Sequence, residues 1–220
     1  WSVEFFNVTE NDQIANHVPL YFDVSVFDIY CAFKTGATLH FVPEELNAML
    51  PLLVRWLNDR SISILFCVPS VLIMLLKSRR LKPGLFSQLR HLIAAGEVLP
   101  PAVISEWMKL YPHLQCTNMY GPTEITVVCT HYVIPSAPDA DCTTVPIGVA
   151  RGNMELLVRT VDGEISKTPG AEGELLVRGT AVTYGYLGDE DRTRQVFIQN
   201  PQHNRFHDPL YCTGDLVRID

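Results

Sequence analysis

Ser63-Ile64-Leu65-Phe66-Cys67-Val68-Pro69-Ser70 is an apolar run of strand length, followed by a proline that suits the first turn of a helix but not the middle of a sheet. Beyond it helical spacing continues to Lys77, so the stretch reads strand, turn, helix. The same alternation extends on both sides. Upstream, Ala37 to Val42 reads as a strand, and Glu45 to Arg60 as a helix with Leu46, Met49, Leu50, Leu53, Trp56 and Leu57 at helical spacing. Downstream, His91 to Ala95 is a strand stopped by Gly96, and Pro100-Pro101 opens a helix that runs to Leu110. A fourth strand, Gln115 to Met119, leads into the turn Gly121-Pro122. Short strands alternating with longer helices predict an α/β fold, a parallel sheet with crossover helices.

After about Val145 the pattern changes. Met154 to Arg159, Gly163 to Ser166 and Gly173 to Arg178 are short runs separated by Gly, Pro and Asp, the mark of antiparallel hairpins. A short helix from Asp189 to Phe197, a polar loop and a last strand near Leu210 follow. The expected division is an α/β subdomain over residues 1–144 and a small antiparallel β-rich subdomain over 145–220.

Composition narrows the function. The 220 residues are 47% hydrophobic and 19% charged, a globular balance rather than a disordered one. Lys and Arg number 17 against 24 Asp and Glu, a net charge of −7, which argues against a nucleic-acid clamp or a basic membrane-surface protein. The longest uncharged stretch, Ser61 to Leu76, falls short of the roughly 20 apolar residues of a membrane helix and is broken at Pro69. Cys31, Cys67, Cys116, Cys129, Cys142 and Cys212 are spread singly, which fits reduced thiols better than disulfides or zinc. The seven histidines show no metal or relay spacing. The start at Trp1 has neither an initiator Met nor the basic opening of a signal peptide, so the chain reads as a piece of a longer cytoplasmic protein.

In an open parallel sheet, ligands bind beyond the carboxyl ends of the strands, where loops and helix N-termini converge. Val68-Pro69-Ser70, Gly96-Glu97, Tyr120-Gly121-Pro122-Thr123-Glu124 and Tyr21-Phe22-Asp23-Val24-Ser25 are expected there. They supply glycines for close approach, an aromatic platform, a hydroxyl and carboxylates. That set suits a nucleotide and a small polar substrate better than a lipid or a polymer. Each residue also has a plainer reading. Tyr120 could be core, Gly96 a left-handed residue after a strand, Glu124 a cap, and Thr213-Gly214-Asp215 an ordinary turn. Asp23 could cap a helix, although Asp28 is the better candidate for that cap.

Tyr120-Gly121-Pro122-Thr123-Glu124 resembles the Y-G-P-T-E core motif of the acyl-adenylate-forming superfamily. Three more motifs follow the family's order. Phe22-Asp23-Val24-Ser25 resembles the F-D-x-S of its amino-acid-activating branch. Gly173-Glu174-Leu175 through Gly185-Tyr186-Leu187 resembles G-E-L…G-Y-L, and Tyr211-Cys212-Thr213-Gly214-Asp215-Leu216 resembles Y-x-T-G-D-L. The likeness covers the whole chain. Ser25 to Tyr30 and Ala94 to Pro100 look most like free-standing amino acid:carrier-protein ligases of the D-alanyl or prolyl type.

The resemblance implies ATP-dependent adenylation of an amino acid, then transfer to the phosphopantetheine thiol of a carrier protein, as in nonribosomal peptide synthesis. It implies that Glu124 holds Mg²⁺ and Thr123 bonds the α-phosphate. Tyr120 would stack on adenine, Asn118 meet its polar edge, Gly96 and Gly121 allow close backbone approach, and Asp215 grip the ribose hydroxyls. Asp23 would face the α-ammonium of the substrate. The pocket wall carried over is Val24, Phe27, Phe66, Ile93, Ala95, Met119, Val127 and Val128. This wall is apolar and partly filled by two rings, so a small apolar amino acid is expected, proline or alanine ahead of valine. A fatty-acyl or aryl acid:CoA ligase, and a non-catalytic binding module on the same scaffold, are the alternatives. No partner nucleic acid or membrane is expected. The family's Ser/Thr/Gly-rich phosphate loop and its catalytic Lys are not identified in these residues, so the 220 residues alone are expected to turn over little.

Overall fold

A computed structural model describes residues 1–220 and divides them into two compact units. The first comprises Trp1–Tyr120 and Thr130–Val149, the second Gly121–Cys129 and Ala150–Asp220.

In the first unit the chain runs through α1 (Ser2–Phe5), β1 (Gln13–Asn16), α2 (Val24–Thr35) and β2 (Thr38–Phe41). A 3-10 turn (Glu44–Ala48), α3 (Leu50–Asp59), β3 (Ile64–Cys67), α4 (Pro69–Lys77), β4 (His91–Ala94), α5 (Pro101–Leu110), β5 (Gln115–Tyr120) and β6 (Thr130–Val133) follow. With β7 (Val149–Ala150) the sheet order is β2-β1-β3-β4-β5-β6-β7. The five strands from β2 to β5 are parallel, and β6 pairs antiparallel with β5, so the sheet is mixed. Pro69 and Pro101 stand in the first turns of α4 and α5, where a missing N–H costs nothing.

Alternation along each strand sends side chains to opposite faces. On one face Ala15, Leu65, Cys67, Leu92, Ala94 and Cys116 pack with Leu53, Leu72, Leu75, Ile104 and Trp107 from α3, α4 and α5. The other face carries Ile14, Asn16, Phe66, Ile93 and Thr117, all buried. There Phe6 meets Phe27 of α2 edge-on at 5.5 Å.

The helix expected over Glu45–Arg60 is two elements, interrupted at Met49 (φ −119°, ψ 63°). Pro51 explains the break, since its ring clashes with a preceding helical turn and a new helix must start around it. β1 and the extent of α2 were not foreseen. The four residues of β1 carry no two-residue period, and α2 is apolar on too much of its surface to show a stripe.

The N-terminal ends of β1, β3 and β4 share a polar clamp. Arg90 donates to both carboxylate oxygens of Asp12 (2.9 and 2.8 Å) and to the carbonyls of Phe6 and Asn7 (2.9 Å each), while Ser63 Oγ donates to Asp12 Oδ1 at 2.7 Å. Burial alone would raise the Asp12 pKa, but Arg90, Ser63 and the Thr9 N–H outweigh it and hold the carboxyl at about 2. Neighbouring His91, bonded to the Phe6 carbonyl at 3.0 Å, is pushed down to about 4 by burial and then by Arg90. Both shifts act in one direction. Below the ordinary histidine value of 6.5 the unfolded chain takes up a proton that His91 refuses until about pH 4, so stability falls across that interval. The loss from His91 is up to roughly 3 kcal/mol. Asp12 adds a further loss between 3.8 and about 2. Thermal melts are therefore expected to show Tm dropping as pH falls below 6.5, and a Tm that stays level down to about 4 would remove His91 from this account.

The second unit is built on β8 (Met154–Arg159), β9 (Ile165–Ser166), β10 (Glu172–Gly179), α6 (Glu190–Val196), β11 (Phe197–Gln199) and β12 (Pro209–Arg218). Its antiparallel sheet has the order β11-β12-β10-β8-β9 over a small core of Leu157, Leu176, Leu210 and Cys212. Asp189 caps α6 by accepting from the Arg192 N–H at 3.0 Å. Gly121–Cys129 packs with this unit although it precedes these strands in sequence.

Candidate functional site

In the first unit, Asp23 occupies the N-cap position of α2 and is half-buried, with no capping bond from its side chain to the helix. Its position is fixed by the neighbouring serine. Ser25 Oγ donates back to the carbonyls of Phe22 (2.8 Å) and Leu20 (3.2 Å), closing the turn that presents Asp23. Asp28, the expected cap, is instead inside α2 and fully buried. Spacing did not reveal this because the helix begins one residue after Asp23, which leaves Asp28 a full turn inside.

The wall residues of this unit share one sheet face. Phe66 is in register with Ile93, and Ile93 with Thr117. Ala95 and Met119 lie two residues further along, on the same side by alternation. Phe27 projects from α2 edge-on to Phe66 at 5.2 Å, Val24 is half-buried one turn earlier, and Phe66, Ile93, Ala95 and Met119 are buried. The face also carries Thr117, whose hydroxyl is buried without a hydrogen-bond partner, a polar group absent from the carried-over wall. Asn118 belongs to the opposite face and donates from Nδ2 to the Pro146 carbonyl at 2.9 Å. Tyr120 ends β5, half-buried.

At the carboxyl end of β3, the N-terminus of α4 is already occupied by a carboxylate. Glu97 accepts from Ser70 N (2.8 Å) and Ser70 Oγ (3.0 Å), satisfying a donor that would otherwise await an anion. Gly96, just before it, has φ +88°, a left-handed conformation that glycine adopts without strain.

In the second unit, Gly121 to Cys129 forms a tight loop. A side chain at Gly121 would lie 2.4 Å from Val128 Cα, so nothing larger than hydrogen fits there. Thr123–Ile125 is a 3-10 turn carrying exposed Thr123 and half-buried Glu124. Thr126 and Val127 then take φ values of +56° and +72°, and the Val128 N–H reaches the Thr126 carbonyl at 3.0 Å across Val127. For a β-branched valine that conformation costs about 1–3 kcal/mol, and surrounding bonds must hold it. They are present. Thr183 N donates to the Glu124 carbonyl (2.8 Å), Thr126 Oγ1 to Ala181 O (2.9 Å) and Arg151 Nε to Val128 O (2.6 Å). Val127 and Val128 are both buried.

The Glu124 carboxylate accepts a short hydrogen bond from the Tyr186 hydroxyl. Burial, then Glu124, raises the Tyr186 pKa, and the same causes push Tyr211 up, so both phenols remain neutral donors. The Arg192 guanidinium lies 4.2 Å over the Tyr186 ring. Glu124 is thus a carboxylate held by phenols. No cluster of three or more His, Cys, Asp or Glu exists that would cage a metal. One hard oxygen ligand beside a substrate's phosphates is, however, how Mg²⁺ is usually bound, and Glu124 fits that mode.

Thr213-Gly214-Asp215 forms an irregularity in β12 where its register with β10 shifts. Thr213 Oγ1 donates to Leu175 O (2.8 Å) and accepts from Asp215 N (3.1 Å), and Gly214 N donates to Glu174 Oε1 (3.0 Å). Glu174 is itself paired with Arg159. Asp215 is exposed at this turn. The G-E-L glutamate therefore shapes the T-G-D loop.

The family model for AMP-binding enzyme matches residues 1–187. The chain belongs to the AMP-binding enzyme family. Within it, the L-proline:L-prolyl-carrier protein ligase of Pseudomonas fluorescens is 35% identical over 218 residues, 99% of this chain and 40% of that protein. A D-alanine:D-alanyl carrier protein ligase of Bacillus mycoides is 31% identical over the whole chain and 42% of its own length. The chain thus spans about two fifths of these curated relatives. Among solved structures, the Vibrio cholerae adenylation domain AlmE in complex with glycyl-adenosine-5′-phosphate superposes with a TM-score of 0.86 at 26% identity, over 98% of this chain and 40% of that one. A nonribosomal peptide synthetase protein containing adenylation and PCP domains gives 0.84 at 26% identity, over 97% and 36%. The expected superfamily therefore stands, as does the expected α/β sheet with crossover helices followed by a small antiparallel sheet, with the antiparallel β6 making the first sheet mixed. No helix is long and apolar enough to cross a membrane.

Sequence reasoning about this AMP-binding chain gave no role to Tyr186 or Tyr211, and read Asp28 only as a helix cap. The two tyrosines were visible as letters of the G-Y-L and Y-x-T-G-D-L motifs. Their meeting with Glu124, 62 residues before Tyr186, was not.

Proposed function

We propose that this chain carries the amino-acid and nucleotide site of an ATP-dependent adenylating ligase for a small apolar amino acid, with proline or alanine ahead of valine. The observation that carries the reading is Asp23, half-buried at the head of α2 while Phe27, one turn along, lies against Phe66. A carboxylate in that setting suits an α-ammonium, because pairing offsets the cost of its own burial. The apolar wall of Val24, Phe27, Phe66, Ile93, Ala95, Met119, Val127 and Val128 disfavours charged side chains.

In the first step a carboxylate oxygen of the amino acid attacks the α-phosphorus of ATP and the bond to pyrophosphate breaks. In the second, a carrier-protein phosphopantetheine thiol attacks the acyl carbon, loses its proton to solvent and releases AMP. Thr123 bonds the α-phosphate, Tyr120 and Asn118 frame the adenine, Gly96 and Gly121 give backbone access, and Asp215 holds the ribose. Mg²⁺, when bound, neutralises phosphate charge, and Glu124 is the residue read as its protein ligand. Residues 1–144 are read as the α/β substrate- and adenine-binding subdomain and 145–220 as a β-rich subdomain ending at the Thr213-Gly214-Asp215 motif, in a cytoplasmic protein. The 220 residues alone are expected to turn over little, and the activity is assigned to the full natural polypeptide.

ATP–pyrophosphate exchange by that polypeptide tests the reading. Across the proteinogenic amino acids and D-alanine, the strongest exchange is expected with proline or an alanine enantiomer. Exchange only with fatty or aryl acids would move the chain to the acid:CoA ligases, and silence with every acid would leave a binding module.

A further inference from the structure

Asp28 and Asn16 form a buried polar pair that the adenylation chemistry leaves without a role. Asn16 Nδ2 donates to Asp28 Oδ2 at 2.9 Å, Asp28 is 0% exposed and Asn16 4%, and Asp28 Oδ1 has no hydrogen-bond partner. Asn16 is the last residue of β1 and stands in register with Phe66 of β3. Phe66 in turn meets Phe27, the residue before Asp28. Helix α2 is thus fastened to adjacent strands at consecutive positions, by a hydrogen bond at Asp28 and a ring contact at Phe27. Both fastenings lie within about one and a half turns of Asp23.

For stability alone this is a poor arrangement. An apolar pair of the same volume would avoid desolvating a carboxyl and leaving one oxygen unbonded. A hydrogen bond adds direction: apolar surfaces can slide past each other, whereas this bond forms at one rotation and one register of the helix. Burial also raises the Asp28 pKa well above its ordinary value of 3.8, with the Asn16 hydrogen bond opposing it. The thiols whose environment includes it, Cys31 of α2 and Cys67 of β3, are pushed up as well, by burial first and then by Asp28.

We propose that the Asp28–Asn16 pair is a positioning element for substrate recognition, pinning α2 to β1 so that Asp23, Val24 and Phe27 stand where the amino acid is read. It rests on the amino-acid reading given above and deepens it, since neither residue is assigned contact with substrate or nucleotide.

The test compares exchange kinetics of variants in the full natural polypeptide. Asn16→Val with Asp28→Leu removes both polar groups together. Its Tm is expected to equal or exceed that of the parent, its KM for ATP to stay within about threefold, and its KM for the amino acid to rise about tenfold or more, the scale of a small misplacement. A merely structural pair would lower Tm or move both KM values together, and either result overturns the proposal, as does an unchanged amino-acid KM. Exchanging the partners, Asn16→Asp with Asp28→Asn, keeps a carboxyl–amide bond and is expected to hold the amino-acid KM within about threefold of the parent. Should the apolar variant fail to fold, a tenfold loss in the exchanged pair still overturns the inference. Asp23→Ala is the control. If it abolishes amino-acid-dependent exchange while the apolar pair leaves KM untouched, positioning alone falls; if the parent shows no amino-acid dependence, the functional reading falls with it.

Discussion

Asp23→Ala is expected to abolish amino-acid-dependent pyrophosphate exchange while leaving ATP affinity within about threefold of the parent. An α-ammonium facing an apolar wall without its counter-charge loses about 3–5 kcal/mol, the usual cost of breaking a buried pair from one side, or about 10²- to 5 × 10³-fold in kcat/KM. Asp23 stands at the N-cap position but its side chain makes no capping bond to α2, and the turn before it is closed by Ser25 and the Phe22 and Leu20 carbonyls. Circular dichroism and Tm, measured beside exchange, separate loss of recognition from loss of structure. Undiminished exchange with proline or alanine would show that Asp23 does not meet the ammonium, and the acid:CoA reading would gain.

Glu124→Gln carries the next largest effect. The amide oxygen can still accept from Tyr186, and the Glu124 backbone carbonyl still receives the Thr183 N–H, so the Thr123–Ile125 turn should persist. What is lost is a negative charge where Mg²⁺ and the phosphates of ATP are expected. Exchange should fall by about 10²- to 10³-fold, and the Mg²⁺ concentration for half-maximal rate should rise. Tyr186→Phe, which only frees the carboxylate from its phenol, should cost less, about tenfold, in the manner of a group that orients a metal ligand. A Glu124→Gln variant with parental rate and Mg²⁺ dependence would leave Glu124 as a residue that merely anchors Tyr186.

Much of the first unit was legible because its elements obey local rules. Pro69 and Pro101 mark helix starts, and the apolar runs Ile64–Cys67 and His91–Ala94 are strand-length and buried throughout. Elements without a local signal were missed. β1 owes its strand character to pairing with β2 and β3 at once, which no window of four residues contains. β6 runs against β5, a reversal that follows the loop carrying Glu124.

The motifs, the acidic balance and the strand–helix alternation are properties of neighbours along the chain, and they were enough to place the chain among acyl-adenylate-forming proteins. Burial and partnership depend on residues far apart, and only tertiary structure decided them. Asp28 went from expected cap to a fully buried acid bonded to Asn16, Glu97 became the cap of α4, and Tyr186 reached across 62 residues to Glu124. The physical reason is common to all three: the charge and bonding of a polar group are set by the water it loses and the partner it gains on folding, and neither is written in its sequence neighbours.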